Sequence, residues 1–283
     1  MSDIASPVGY LRLRVIFANW RARLGAILVA LAVVAAIFAP WLTPYVPNKP
    51  DFTAILSGPT LAHPMGTDDL GRDVLTRILY GARVSLLVGF VSVVSSLAIG
   101  AMLGAVAGYA GRWIDAIIMR VMDVIFAFPS VLLALAITAA LGPSLTNAIL
   151  AIAIVNLPVF ARLARAQTLV VRSLDFVEAK RAMGFGPVNI LMRTILPNIT
   201  APLIVQGSLL FAMAIITESY LSFLGLGAQP PTATWGNMLR NSIAFLEIAP
   251  WMAWFSGLSI FLTVLGFNLL GDALRDFFDP RHN

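Results

Sequence analysis

Cysteine is absent from the 283 residues, which excludes a disulfide framework, a thiolate nucleophile and a cysteine-ligated zinc site. Histidine occurs only at His63 and His282, so the paired histidines of an H-E-x-x-H metalloprotease cannot form. Lysine is confined to Lys49 and Lys180, and neither follows a glycine. A G-x-x-x-x-G-K-[ST] phosphate loop is therefore missing, and the chain has no route to ATP by that motif. No Gly-x-Ser-Gly or Gly-x-Gly-Asp string offers the nucleophile of an intramembrane serine or aspartyl protease. Charged residues make up 12% of the chain, about half the usual share of a soluble domain.

What is there instead is apolar. Hydrophobic residues reach 59% and the mean hydropathy is +0.88, the composition of a membrane protein. The net charge of +5 and the pI near 10.1 come from arginines flanking apolar runs. No long basic stripe lies elsewhere, so nucleic acid is not an expected partner.

Residues 1–23 read as a cytoplasmic amphipathic segment. Arg12, Arg14, Arg21 and Arg23 alternate with Leu11, Leu13, Ile16, Phe17 and Trp20, a pattern that lies on an anionic membrane surface. Residues 24–40 form the first transmembrane helix. A cleaved signal peptide is the alternative there, disfavoured by Pro40 directly after the apolar run and by the spans that follow. Residues 41–83 are polar and rich in proline, an outer segment in which Thr67 or Asp68 is expected to cap a helix and Asp73 to pair with Arg77 at i,i+4. His63, Asp68, Asp69 and Asp73 match no metal-ligand spacing, and capping and helix-surface charge are their expected use.

Further spans are expected over 85–108, 116–140, 145–160, 203–224 and 251–270, making about six of the ~20 residues that a bilayer requires. Pro129 is expected to kink the second of these, and Arg120 and Asp123 to neutralise each other at i,i+3. Asn156, Gln206, Ser208 and Glu218 are polar groups in or near spans, suited equally to a path lining or to interhelical hydrogen bonds, with Glu218 placed near the outer interface. Arginine and lysine set the orientation. With the amino terminus inside, the inner segments hold Arg12, Arg14, Arg21, Arg23, Arg112, Arg120, Arg162, Arg165, Arg172, Lys180, Arg181, Arg193, Arg275 and Arg281. The outer ones hold Lys49, Arg72, Arg77, Arg83 and Arg240. Both ends are then cytoplasmic, with a permease domain over 84–275 and a tail over 276–283.

One polar interruption, residues 173–202, has the grammar of helix, turn and helix. Asp175 is expected to cap a helix to Met183, Gly184 and Gly186 to take positive φ, and Pro187 to open the next helix. Inside it stands Glu178-Ala179-Lys180-Arg181-Ala182-Met183-Gly184, followed by Ile195-Leu196-Pro197. This resembles the EAA loop of ABC-importer permeases, here over 167–199. Four further stretches, HPMGTDDLGRDVLTRILYGARVSLLVG, AFPSVLLALAI, SFLGLGAQPPTATWGNML and LTVLGFNLLGDALRDFFDPR, narrow the resemblance to the second permease of the dipeptide/oligopeptide/nickel branch. They cover nearly all of the chain after residue 60. Lys180 departs from the pattern, standing where the family usually has a second alanine.

The resemblance implies an all-α membrane protein of the type I ABC-importer (MetI-like) permease fold in a bacterial inner membrane. It implies a non-catalytic subunit, forming half of a translocation path with a second, homologous permease. Glu178, Ala179, Lys180, Arg181, Ala182, Gly184, Phe185, Gly186 and Pro187 would form a coupling helix in a cleft of an ATPase subunit, with Arg193 to Leu196 and Pro197 tying it to the next span. ATP and Mg would sit on two cytoplasmic ABC ATPase subunits, and a periplasmic or extracellular substrate-binding protein would deliver the solute. No catalytic, cofactor or metal residue is expected in this chain. The competing class is an ion-coupled secondary transporter or channel, which asks for a charge in mid-bilayer or an inverted repeat; neither is evident.

Overall fold

Apolar runs of this length satisfy their backbone polar groups only as helices, and the described apolar runs are helical apart from a break at residues 127–129. A computed structural model describes residues 19–278. The amphipathic stretch before Asn19 and the end of the tail, with Asp279, Arg281 and His282, fall outside the described residues. Helix α1 is Trp20–Leu42, α2 Val74–Ala110, α3 Arg112–Phe126, α4 Ser130–Leu141 and α5 Leu145–Val171. A short α6, Asp175–Ala182, precedes α7, Pro187–Ile190, which runs through a π-helical turn, Leu191–Ile195, into α8, Leu196–Phe223. Helix α9, Trp235–Ser242, and α10, Pro250–Phe278, complete the order. Five helical stretches are long and apolar enough to cross a membrane, and α3 with α4 makes a sixth only as a pair bent by 89°.

That bend corrects the expected kinked span. Pro129, at φ −54° and ψ 127°, has left the helical region and is the N-cap of α4, so Ala127-Phe128-Pro129 breaks the helix outright. Arg120 and Asp123 do not pair either. Asp123 instead accepts from Arg162 of α5 at 2.8 Å, and Asp115 accepts from Arg165.

The span expected over 85–108 is part of a longer helix, α2, which begins at Val74. Asp73 is the N-cap, its Oδ2 accepting from the backbone N–H of Thr76 at 2.7 Å and from its hydroxyl at 2.6 Å, so neither Thr67 nor Asp68 caps. Arginines are tolerated inside the helix because they are satisfied. Arg77 lies 3.4 Å from Asp68 rather than on Asp73, and donates to the Pro47 carbonyl at 2.9 Å. Arg83 donates to the carbonyls of Ala36 and Ile37 on α1. His63 Nδ1 meets Asp73 Oδ1 at 3.0 Å, while Asp68 and Asp69 engage Arg72.

Contacts fix the directions of the spans. Helices α2 and α5 run parallel in near backbone contact: Gly100 faces Leu157 and Phe160, Gly104 faces Ala161, and Gly108 faces Arg165 and Thr168. A Cβ at Gly104 would overlap the Ala161 carbonyl oxygen. Helix α8 is antiparallel to α2, with Ile215 and Phe211 against Gly89. Helices α1 and α10 are likewise antiparallel, Gly25 against Leu270 and Gly266 against Leu28. Consequently the start of α1, the ends of α2, α5 and α10 and the start of α7 share one end of the bundle, where α6 also lies.

The opposite end carries residues 43–73 and α9. Trp251 Nε1 donates to the Thr67 carbonyl and Trp235 Nε1 to the Ile78 carbonyl, both at 3.1 Å, which pins these segments on the helix ends. Glu218 is here, and it does not reach an interface. It is fully buried, accepting from Ser222 at 2.7 Å and Ser85 at 3.2 Å, because α9 and the start of α2 close over it.

Candidate functional site

The helix–turn–helix between α5 and α8 is built from local rules. Leu174 is extended and its carbonyl accepts from Val177 at 2.9 Å to start α6, so Asp175 lies in the first turn rather than at the cap. Asp175 and Glu178 in that turn and Lys180 and Arg181 in the last one both suit the helix dipole. The helix ends in a Schellman motif. Phe185 N–H donates to the Lys180 carbonyl at 3.1 Å and Gly184 N–H to the Arg181 carbonyl at 2.9 Å. Gly184 takes φ +81°, as that motif requires. Gly186 does not; it is extended at φ −66°, ψ 156° and caps α7, with Pro187 in the first turn.

Packing holds this element rigidly at its root and leaves its tip bare. Val177 is fully buried and Ile190 nearly so, and both join the main core with Val171, Leu191 and Ile195. Glu178, Ala179, Arg181, Ala182, Met183 and Phe185 are exposed, with Met183 66% and Val188 73% accessible. Exposed Met183, Phe185 and Val188 make an apolar patch at this tip.

Three connections to the spans were not legible from the motif. Lys180 Nζ donates to Thr194 Oγ1 in the π-helical turn at 2.8 Å, so its ammonium is engaged rather than a free surface charge. Arg181 lies over the Tyr109 ring at 5.4 Å, near the end of α2. Arg172 donates to the Gly108 carbonyl at 2.6 Å. The π turn has its own cause. Pro197 has no N–H to offer the Arg193 carbonyl, and the helix widens just before it, with Leu196 N–H donating to the Leu191 carbonyl. Leu196 packs on the core and Pro197 is exposed, both inside a helical stretch, Pro187–Phe223, that continues unbroken into the membrane.

Of the polar residues in spans, Ser208 bonds back to the Val205 carbonyl of its own helix and Gln206 is half-buried. Asn156 lines a cavity beside the α3–α4 break. Among the described residues no three His, Asp or Glu side chains are placed to hold a metal ion.

The architecture is that of a polytopic helical membrane bundle with a helix–turn–helix of exposed tip at its arginine-rich end. The chain belongs to the family described as binding-protein-dependent transport system inner membrane component, whose model matches residues 100–283. Residues 11–59 match the N-terminal TM domain of oligopeptide transport permease C. A dipeptide transport system permease protein, DppC, of Alkalihalophilus pseudofirmus is 50% identical over 93% of this chain and 86% of its own length. A glutathione transport system permease protein, GsiD, of Pectobacterium atrosepticum is 48% identical over 89% and 84%. A di/tripeptide transport system permease protein of Pseudomonas aeruginosa is 46% identical over 94% and 90%. Among solved structures, the inward-facing MetNI methionine ABC transporter superposes with a TM-score of 0.57 at 19% identity, covering 71% of this chain and 96% of that one. The fold is therefore the MetI-like one. The protein is an inner-membrane permease of a binding-protein-dependent ABC importer, not an enzyme, and works with ATPase and substrate-binding partners.

Proposed function

We propose that this chain is one of two homologous permeases in an importer of dipeptides, oligopeptides or a related small solute, and that residues 175–187 couple it to ATP hydrolysis on a partner. The observation that carries the substrate class is the identity of 46–50% over most of the chain with permeases named for dipeptides and di/tripeptides, with a glutathione permease between them at 48%. The common chemistry is a small zwitterion with peptide bonds. Longer peptides, nickel chelates and opines are the less favoured cargoes. The secondary-transporter reading loses ground because the buried Glu218 is fully engaged by serines at the outer end rather than placed in mid-span.

The coupling reading rests on geometry. Glu178, Ala179, Lys180, Arg181, Ala182, Gly184, Phe185, Gly186 and Pro187 form the outer contour of the rigid element, and Leu196 and Pro197 lie on its continuation into α8. Arg21, Arg23, Arg112, Arg162, Arg165, Arg172, Arg193 and Arg275 lie on helices toward the same end of the bundle, which supports a cytoplasmic placement. With no phosphate loop in the chain, ATP and Mg belong to two cytoplasmic ABC ATPase subunits seated on this element and on its counterpart. A periplasmic or extracellular binding protein docks on the opposite end, around residues 43–73 and α9.

The test is reconstitution in proteoliposomes with the second permease, the ATPases and the binding protein encoded beside it. Uptake of labelled alanyl-alanine that requires ATP and the binding protein supports the reading. Uptake by this chain alone, without an ATPase, overturns it.

A further inference from the structure

The break between α3 and α4 opens a cavity of about 460 Å³ against α5 and α8. Phe126, Pro129, Val159 and Met213 give it apolar walls, and Asn156 and Thr217 place polar groups in them. Thr217 donates its proton to the Met213 carbonyl and keeps its oxygen as an acceptor. The Asn156 amide, midway along a spanning helix, has no hydrogen-bond partner among the described residues. An unpaired amide at that depth is costly unless it faces water or a polar ligand.

A charge pair adjoins the cavity. Phe126 carries the Arg162 guanidinium on its ring at 4.3 Å, and Arg162 Nη2 donates to Asp123 Oδ1 at 2.8 Å. Their side chains are 43% and 55% exposed. The pair lies toward the end of the bundle that also carries Arg165 and Arg172, where such exposure suits contact with water or a polar ligand. The neighbouring pair behaves differently: Arg165 grips Asp115 through two hydrogen bonds, and those side chains are 35% and 18% exposed. Asp115–Arg165 is a staple, whereas Asp123–Arg162 uses one oxygen and one nitrogen and leaves the rest uncommitted.

We propose that the cavity and the Asp123–Arg162 pair form a subsite on the translocation path for a small zwitterionic peptide; this rests on the importer reading. The Arg162 guanidinium takes the substrate carboxylate and the Asp123 carboxylate takes its ammonium, so the exchange leaves no unpaired charge. Asn156 meets the peptide bond, and Phe126 and Met213 receive side chains without selecting among them. A dipeptide spans about 7 Å, a length the cavity accommodates.

Because the chain has no cysteine, a single introduced cysteine is read on this subunit's own band after labelling of the complex. In the full complex, Asn156→Cys and Thr217→Cys are expected to react with a membrane-impermeant methanethiosulfonate at least ten-fold faster than Leu258→Cys on the exposed apolar face of α10. Alanyl-alanine delivered by the binding protein slows the first two several-fold. Rates equal to that of Leu258→Cys, or no protection by the dipeptide, overturn the subsite. Asp123→Asn and Arg162→Gln are expected to lower dipeptide uptake ten-fold or more while binding-protein-stimulated ATP hydrolysis stays within two-fold of wild type. The double variant Asp123→Asn/Arg162→Gln replaces the ion pair by an amide–amide hydrogen bond and remains impaired. Recovery of uptake in the double variant identifies a mere staple and overturns the assignment. A wild-type complex that transports while its cavity cysteines stay silent sinks the subsite alone; one without ATP-dependent uptake sinks the importer reading with it.

Discussion

Gly184 adopts φ +81° with open space around the position of a Cβ, so a substitution there meets backbone strain and nothing else. A side chain in that region costs about 1–2 kcal/mol, and a β-branched one is the worst case. Gly184→Val is expected to insert into the membrane normally yet lose most of the uptake per ATP hydrolysed, with Gly184→Asn intermediate. Paired uptake and phosphate-release assays on the reconstituted complex check this. Lys180 invites a second substitution series. Lys180→Ala removes the bond to Thr194 and is expected to weaken coupling several-fold, whereas Lys180→Arg retains a donor and most of the activity. Thr194→Val should mimic Lys180→Ala. The motif around Glu178 was legible because helix, Schellman turn and Pro187 are decided within a dozen residues. The Lys180–Thr194 bond was not, since it depends on how far the π turn rotates the chain ahead of Pro197.

Between elements, the strongest constraint is the parallel contact of α2 and α5 through Gly100, Gly104 and Gly108. Gly104→Leu drives a branched side chain into the Ala161 backbone. It is expected to destabilise by about 1–3 kcal/mol or more, read as a lower melting temperature of the detergent-solubilised chain. At the outer end, Glu218→Ala leaves the buried hydroxyls of Ser85 and Ser222 without their acceptor, a loss of about 1–3 kcal/mol, while Glu218→Gln keeps an acceptor and costs less. The same thermal measurement ranks the two. Hydropathy located the five long spans but not their lengths, because Arg77, Arg83, Arg162 and Arg165 look like ends of helices until their partners are seen. Glu218 was misplaced for the complementary reason: a carboxylate near the end of an apolar run reads as interfacial when the segment that covers it, α9, is distant in sequence. Pro129 announced a disturbance, but a single apolar run cannot reveal that its halves diverge by 89°.

For the whole molecule, the two ends of the bundle differ in charge as well as in shape. In intact spheroplasts, Thr53→Cys on the 43–73 segment is expected to be labelled by an impermeant maleimide. Arg181→Cys should stay unlabelled until the membrane is opened; the reverse pattern would invert the orientation. Arginine counting yields this expectation without any structure, since orientation depends on segment totals and not on side-chain geometry.

The glycine-mediated contact also sets a frame of reference. Two helices whose backbones touch over two turns cannot slide without collision, so α2 and α5 behave as one double-width rod. Spin labels on the cytoplasmic ends of these two helices should therefore report one constant separation through the whole ATP cycle, whereas a label on α4, beyond the break, changes its distance to both. An internal ruler is thereby built into the molecule, and any motion measured against it can be assigned to the element that moved.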